Sequence, residues 1–344
     1  MVLKEARKGE TDGRKRGGRM HRKDVHEQNK VPYAIAVTAG TLLTVGFCLL
    51  SLFYGKSGDE AVWHQILCYV RIPRTAGAVL CGAALAVSGL LLQEALHNPL
   101  ASPSILGINN GAGFFALLAS LLFPGRVYAR SVMALCGALL ATGLVYLIAT
   151  CAGFSKTMII LSGVAVSALM SAGINGIITF FPESVADKAA FSLGGLSGVT
   201  WPVLALAGAL IMPCLLGGLF LSRGIDLFAL GDETAHSLGL NVKRHRCLTI
   251  LAAAVLAGAA VCVGGLISFL GLIVPNLIRR VFSQDLTTAG SLMLCVLYGS
   301  ALLLAADFLG RRLLYPYELP VGLLISLLGA PFFIGMLIHR KRGI

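Results

Sequence analysis

"CLTILAAAVLAGAAVCVGGLI", residues 247 to 267, runs for 21 residues without a charged side chain. A helix needs about 20 such residues to cross the hydrocarbon core of a bilayer. A second run, "VPYAIAVTAGTLLTVGFCLLSLF" (31 to 53), has the same character. Both are too long and too uniformly apolar for barrel strands, which alternate over about ten residues. Composition agrees: 56% of the 344 residues are hydrophobic and 13% are charged, against about 25% charged in soluble domains. The expected fold class is an all-α polytopic membrane protein.

Working outward gives ten candidate spans, near 31–53, 75–96, 108–123, 130–151, 157–181, 201–222, 247–265, 267–280, 287–309 and 318–338. The eighth is short and carries Pro275 within "SFLGLIVPN". Residues 1–30 differ in kind. They hold ten of the 28 Lys and Arg residues, five acids and almost nothing apolar, so they read as a basic, disordered cytoplasmic tail that could hold anionic lipid. With that tail inside and all ten spans crossing, twenty of the 28 basic residues fall on the inner side and eight on the outer. The positive-inside rule then puts both termini in the cytoplasm.

Residues 97–113, "HNPLASPSILGINNGAG", join two apolar runs with two prolines, paired asparagines and three glycines. Pro99 and Pro103 cannot continue a helix and push the residue before each toward an extended form. The segment is expected to be a stiff polar elbow at the inner end of the second span. Irregular backbone near membrane depth survives only where protein or a water-filled cavity covers it.

Several chemistries are weighed on these residues. Nine cysteines stand singly with no paired spacing, so neither a disulfide framework nor a metal site is expected. "GLSG" (195–198) fits a serine nucleophile motif, but the seven histidines lie in tails, loops or span ends, and that chemistry needs a base within reach of Ser197. No G-x-x-x-x-G-K-[ST] phosphate loop is present, so ATP would be hydrolysed by another chain. An ion-coupled transporter would place ionisable groups mid-membrane, and Asp307, near a span end, is the one candidate. Asp307 stands four residues before Arg311, the favoured order for a helical ion pair, and is read as a structural partner rather than a proton carrier.

"RIPRTAGAVLCGAALAVSGLLLQEALHNPLASPSILGINNGAG" (71–113), "LGGLSGVTW" (193–201), "ALGDETAHSLGLN" (229–241), "GLISFLGLIVPNLIRR" (265–280), "AADFLGRR" (305–312) and "ELPVGLLISLLGAPFFI" (318–334) follow one another over nearly the whole chain after residue 31. Together they resemble the FecCD-type permease subunits of ABC importers for iron-siderophores, haem and cobalamin. The resemblance implies a type II importer permease fold of about ten helices over 31–344, in a bacterial or archaeal cytoplasmic membrane. It also implies partners: a second permease subunit, identical or related, two cytoplasmic ATPases that use the ATP, and an extracytoplasmic binding protein. No cofactor or catalytic residue is expected in this chain. Iron-siderophore is the first-choice cargo, then haem, then cobalamin.

The resemblance further assigns residues. Coupling helices near 226–241 would seat on the ATPase through Leu230, Gly231, Asp232, Glu233, Ala235, Leu238 and Gly239. Arg71, Arg74 and Arg311 would meet glutamates on the binding protein, rim charges of the kind that steer encounter and fix orientation. Asn98, Pro99 and Leu100, with Ser155 and Thr157, would form an inner gate. Two departures stand out. The family commonly has His where this chain has Asn276, and Asp-His-Arg where Asp285 is followed by Leu and Thr.

Overall fold

The computed structural model describes residues 32–54, 60–153, 155–181, 192–228, 230–282, 286–315 and 317–341. The basic tail and Asp285 lie outside these. The described chain is helical: α1 (Tyr33–Phe53), α2 (Glu60–Ile66), α3 (Ile72–Leu96), α4 (Ile108–Leu122), α5 (Val127–Cys151), α6 (Lys156–Phe180), α7 (Trp201–Phe228), α8 (Asp232–Ser237), α9 (Val242–Gly264), α10 (Leu270–Val281), α11 (Thr288–Gly310) and α12 (Val321–Lys341). Among the described residues, seven helices are long and apolar enough to cross a bilayer, while Ile108–Leu122 and Val321–Met336 are shorter apolar helices.

α3 is the axis of the molecule. It is joined to α2 by one π-helical turn, Leu67–Arg71, and most of its residues are buried. Its small residues allow this, because close backbone approach drives association where lipid offers no hydrophobic gain. A methyl group at Gly82 would meet the Gly299 carbonyl of α11, and one at Gly89 would meet the Gly271 carbonyl of α10. α9 runs antiparallel along another face. Cys81 Sγ donates to Ala260 O at 3.5 Å, Ser88 Oγ to Ala253 O at 2.7 Å and Arg246 Nε to Ala95 O at 2.9 Å. Each seven-residue step along α3 matches a seven-residue step back along α9, the spacing of a regular helix–helix seam.

The eighth expected span is a broken one. α9 ends at Gly264 and the chain turns at Gly265 (φ 67°). It stays out of helix until α10 begins after Phe269, itself at φ 64°. Twelve helical residues rise about 18 Å, roughly half the hydrocarbon thickness. The contacts nevertheless carry the segment along the C-terminal half of α3, from Gly271 beside Gly89 to Arg279, whose Nη1 lies 2.7 Å from Glu94 Oε1. Buried amides take up carbonyls left over by the break and by Pro275, which has no N–H for Gly271 O. Asn109 Nδ2 donates to Ile267 O at 3.3 Å and Gln93 Nε2 to Gly271 O at 3.2 Å. Backbone bonds from Gly195 N to Gly264 O and from Gly322 N to Gly194 O tie the break to the start of α12.

The outward faces carry large apolar side chains, among them Phe220, Phe180, Leu42 and Leu327. Such a surface suits lipid and would aggregate in water. Replacing Gly89 by Ala should lower the stability of the purified protein by about 1–3 kcal/mol, the usual overpacking cost. Thermal unfolding in detergent reads this, and Gly46→Ala, at a site with open space around it, serves as the control.

Candidate functional site

Charged side chains gather at the two ends of α3. At the N-terminal end Asp307 of α11 is 1% exposed. Its Oδ1 lies 3.0 Å from Arg74 Nε and its Oδ2 3.2 Å from Arg311 Nη2. Arg74 Nη1 also reaches Glu318, 2.9 Å from Oε2 and 3.2 Å from Oε1. Arg311 Nη2 donates to Ser51 Oγ of α1 at 2.8 Å, and Ser51 Oγ lies 2.9 Å from Thr75 Oγ1. Two arginines and two carboxylates thus fasten α1, α3, α11 and the strand of chain before α12. Burial presses the Arg311 pKa below its ordinary value, while Asp307 opposes the shift.

Arg74, expected at the rim, is 8% exposed and held by two carboxylates. Arg311 is half-buried and turned to Asp307 and Ser51. Arg71 donates to the Leu52 and Tyr54 carbonyls, both at 2.8 Å, and lies over the Trp63 ring. Arg312, exposed beside them, lies 4.0 Å from the Tyr54 ring centroid. The π-helical turn places this group, and the Cys68 carbonyl within it accepts the Trp201 indole N–H at 3.1 Å.

At the C-terminal end of α3 the elbow is held by hydrogen bonds within itself and to its neighbours. α3 stops at His97 in the left-handed region (φ 48°), with His97 N bonded to Glu94 O and Asn98 N to Gln93 O. A non-glycine residue there is uncommon, and its ring is tied down, with Nε2 2.6 Å from Phe228 O. Asn98 Oδ1 accepts from Leu100 N at 3.0 Å. Pro99 O accepts from Asn276 Nδ2 of α10 at 2.9 Å. Further on, Ser104 O accepts from Ser167 Oγ, and Gly107 (φ 76°) packs against Gly163 and Ser167 of α6. Ser155 instead caps α6, accepting from Met158 N at 3.2 Å, and Thr157 is exposed beside it. The elbow's fastening to α6 is made a few turns along, at Ser167.

The segment after α7 holds one short helix, α8, between Gly231 (φ 97°) and Gly239 (φ 89°). Leu230 and Leu238 are about 60% exposed, and Glu233 is exposed with them. Ala235 is fully buried. That corrects its assignment to the outward contact, since a residue sealed against its own chain offers no surface. Asp232 Oδ1 lies 2.7 Å from Arg246 Nη2. Asn241 caps α9 by accepting from Arg244 N.

Among the described residues no three His, Cys, Asp or Glu side chains gather as a metal site, and no histidine hydrogen-bonds Ser197. Residues 33–340 match the FecCD transport family. The chain belongs to that family. It is 37% identical over 295 residues to the hemin transport system permease protein of Yersinia pestis, covering 84% of this chain and 87% of that one. It is 37% identical over 285 residues to an Fe(3+)-citrate import system permease protein of Bacillus subtilis, covering 83% and 84%. A solved chain of a metal-chelate type ABC transporter in an inward-facing conformation matches with TM-score 0.79 and 28% identity over 88% of this chain and 98% of that one. This FecCD-family chain is therefore an all-helical membrane permease, itself non-catalytic.

Asp307→Ala should destabilise this permease by about 3–5 kcal/mol, because it leaves Arg74 buried beside a void. Glu318, whose side chain is 48% exposed, should tolerate Gln with a much smaller loss. Thermal unfolding of the two variants in detergent checks the order.

Proposed function

We propose that this chain is the translocation subunit of an ATP-driven importer for an iron chelate, with an iron-siderophore as first choice of cargo and haem as second. The observation that carries the reading is the near full-length similarity to permeases named for hemin and for Fe(3+)-citrate. Two copies, or this chain and a related one, would enclose the pathway. Two ATPase subunits would bind on the cytoplasmic side, where both termini lie, and a binding protein would deliver cargo outside.

The exposed face of α8 supports the ATPase contact, with Leu230, Glu233 and Leu238 as its apolar and acidic groups and Gly231 and Gly239 as its hinges. Asp232 is turned inward to Arg246 and is left out of that face. On the outside, Arg71 and Arg312 with the outer side of Arg311 form the cationic rim for an acidic partner. The elbow Asn98–Leu100 would be the inner constriction, held from α10 by Asn276, while Ser155 and Thr157, at the start of α6 and a few turns from the elbow's contact at Ser167, are left out of it.

Reconstitution with the cognate ATPase and binding protein tests the whole reading. Hydrolysis should rise when loaded binding protein is added, and Arg312→Glu should reduce that stimulation most at low salt, where rim charges act over the longest range. Hydrolysis indifferent to every iron-chelate binding protein would overturn the cargo assignment. The elbow has its own test. Pro99→Ala with Pro103→Ala should leave ATP hydrolysis running while transport per ATP falls, and unchanged transport per ATP would remove the gate from these residues.

A further inference from the structure

Arg246 stands at the first turn of α9, 4% exposed, at a position where a charge is costly unless fully partnered. Its partners belong to different parts of the chain. Nε donates to Ala95 O on the last turn of α3 at 2.9 Å, and Nη2 donates to Asp232 Oδ1 at the start of α8 at 2.7 Å. The guanidinium lies 5.3 Å from the Phe228 ring centroid. Phe228 in turn accepts from the His97 ring through its carbonyl, and its own ring meets His245 edge-on at 5.5 Å. Ala95 and His97 bracket the end of α3, where the elbow begins.

From this arrangement we infer that Arg246 is a positioning residue that transmits movement of α8 to the inner end of α3 and so to the elbow. The inference rests on the permease reading above. Three features of the geometry support it. α8 is a six-residue unit between two glycines in the left-handed region, so it can tilt as a body about both ends. The link from it to α3 is one rigid guanidinium plane and not a chain of rotatable bonds. The neighbouring Phe228, buried and bonded to His97, gives the same movement a second hold on the same turn. A lysine there could keep the ion pair or the carbonyl bond, but one ammonium does not reproduce two donors at fixed spacing.

The test uses the permease reconstituted with its ATPase and binding protein, comparing wild type with Arg246→Lys, Asp232→Asn and the double variant. ATPase co-purification, ATP hydrolysis and transport of ferric-siderophore or haem per ATP are measured on each. Both single variants should retain the ATPase and hydrolyse ATP, with transport per ATP lower by about tenfold, the usual size of coupling between sites. The double variant should be no worse than the poorer single one, because each change breaks the same link from α8 through Arg246 to α3, at one side of it or the other. Wild-type transport per ATP in either folded variant would overturn the inference, as would losses that multiply in the double. Loss of ATPase binding by Arg246→Lys would overturn it too, by making the pair part of the docking surface. A wild-type protein that binds no ATPase at all would instead remove the permease reading itself, an outcome separate from these.

Discussion

The backbone of α3 touches the backbones of its neighbours. Gly82 lies against Gly299 and Gly89 against Gly271, with no room for a methyl group at either contact. In lipid this closeness is the main source of helix association, since apolar side chains gain nothing by leaving hydrocarbon for protein. It has a consequence for every polar group on α3. A helix surrounded on all sides cannot send a charge out to a headgroup, so each must be met by a partner on an adjoining helix. Arg74 has Asp307 and Glu318, and Glu94 has Arg279.

The same constraint governs the backbone that leaves helical form. Between Gly265 and Phe269, and again between His97 and Gly107, carbonyl and amide groups lack their usual partners a turn away. Water is unavailable at depth, so side-chain amides substitute. Asn109 bonds the first break, Gln93 the Gly271 carbonyl that Pro275 leaves free just beyond it, and Asn276 and Ser167 bond the second. The Asn276 that stands where relatives commonly carry His does a job that only needs an amide N–H. It also joins the two breaks, because it sits on the helix that follows one and bonds the carbonyl of Pro99 in the other.

How much of this could be read from the sequence depends on distance along the chain. The seven helices long enough to cross, the two shorter apolar ones and the elbow follow from hydropathy, Pro and Gly, which act on neighbouring residues, while the short helix after α7 came from the family resemblance. The Asp307–Arg311 pair was visible for the same reason, at four residues apart. The ion pairs of Arg74 were not legible because its partners lie 233 and 244 residues away. A signal was nevertheless present. Arg74 falls eight residues before Gly82 and fifteen before Gly89, on the stripe that marks a close helix contact, where a charge must be buried and paired. Arg246 was counted only as one inner charge among ten. Its two partners, at Ala95 and Asp232, are joined to it by folding and by nothing in the local pattern. The break before α10 was legible as a short, proline-bearing span, but the amides that satisfy it were not, since Asn109 and Gln93 belong to other helices.

Placed together, the two charge clusters give α3 different duties at its ends. The Arg74 cluster fastens four elements with two arginines and two carboxylates, one of them half-exposed. The Arg246 cluster attaches the other end of the helix to the short α8, beside an elbow that α10 and α6 also hold. A close-packed interior moves by shifting whole elements between arrangements and not by bending side chains one at a time. On the inference that Arg246 passes movement of α8 to α3, the helix would move most at His97, where the elbow starts, and least at Arg74, which two carboxylates hold to α11 and to the chain before α12.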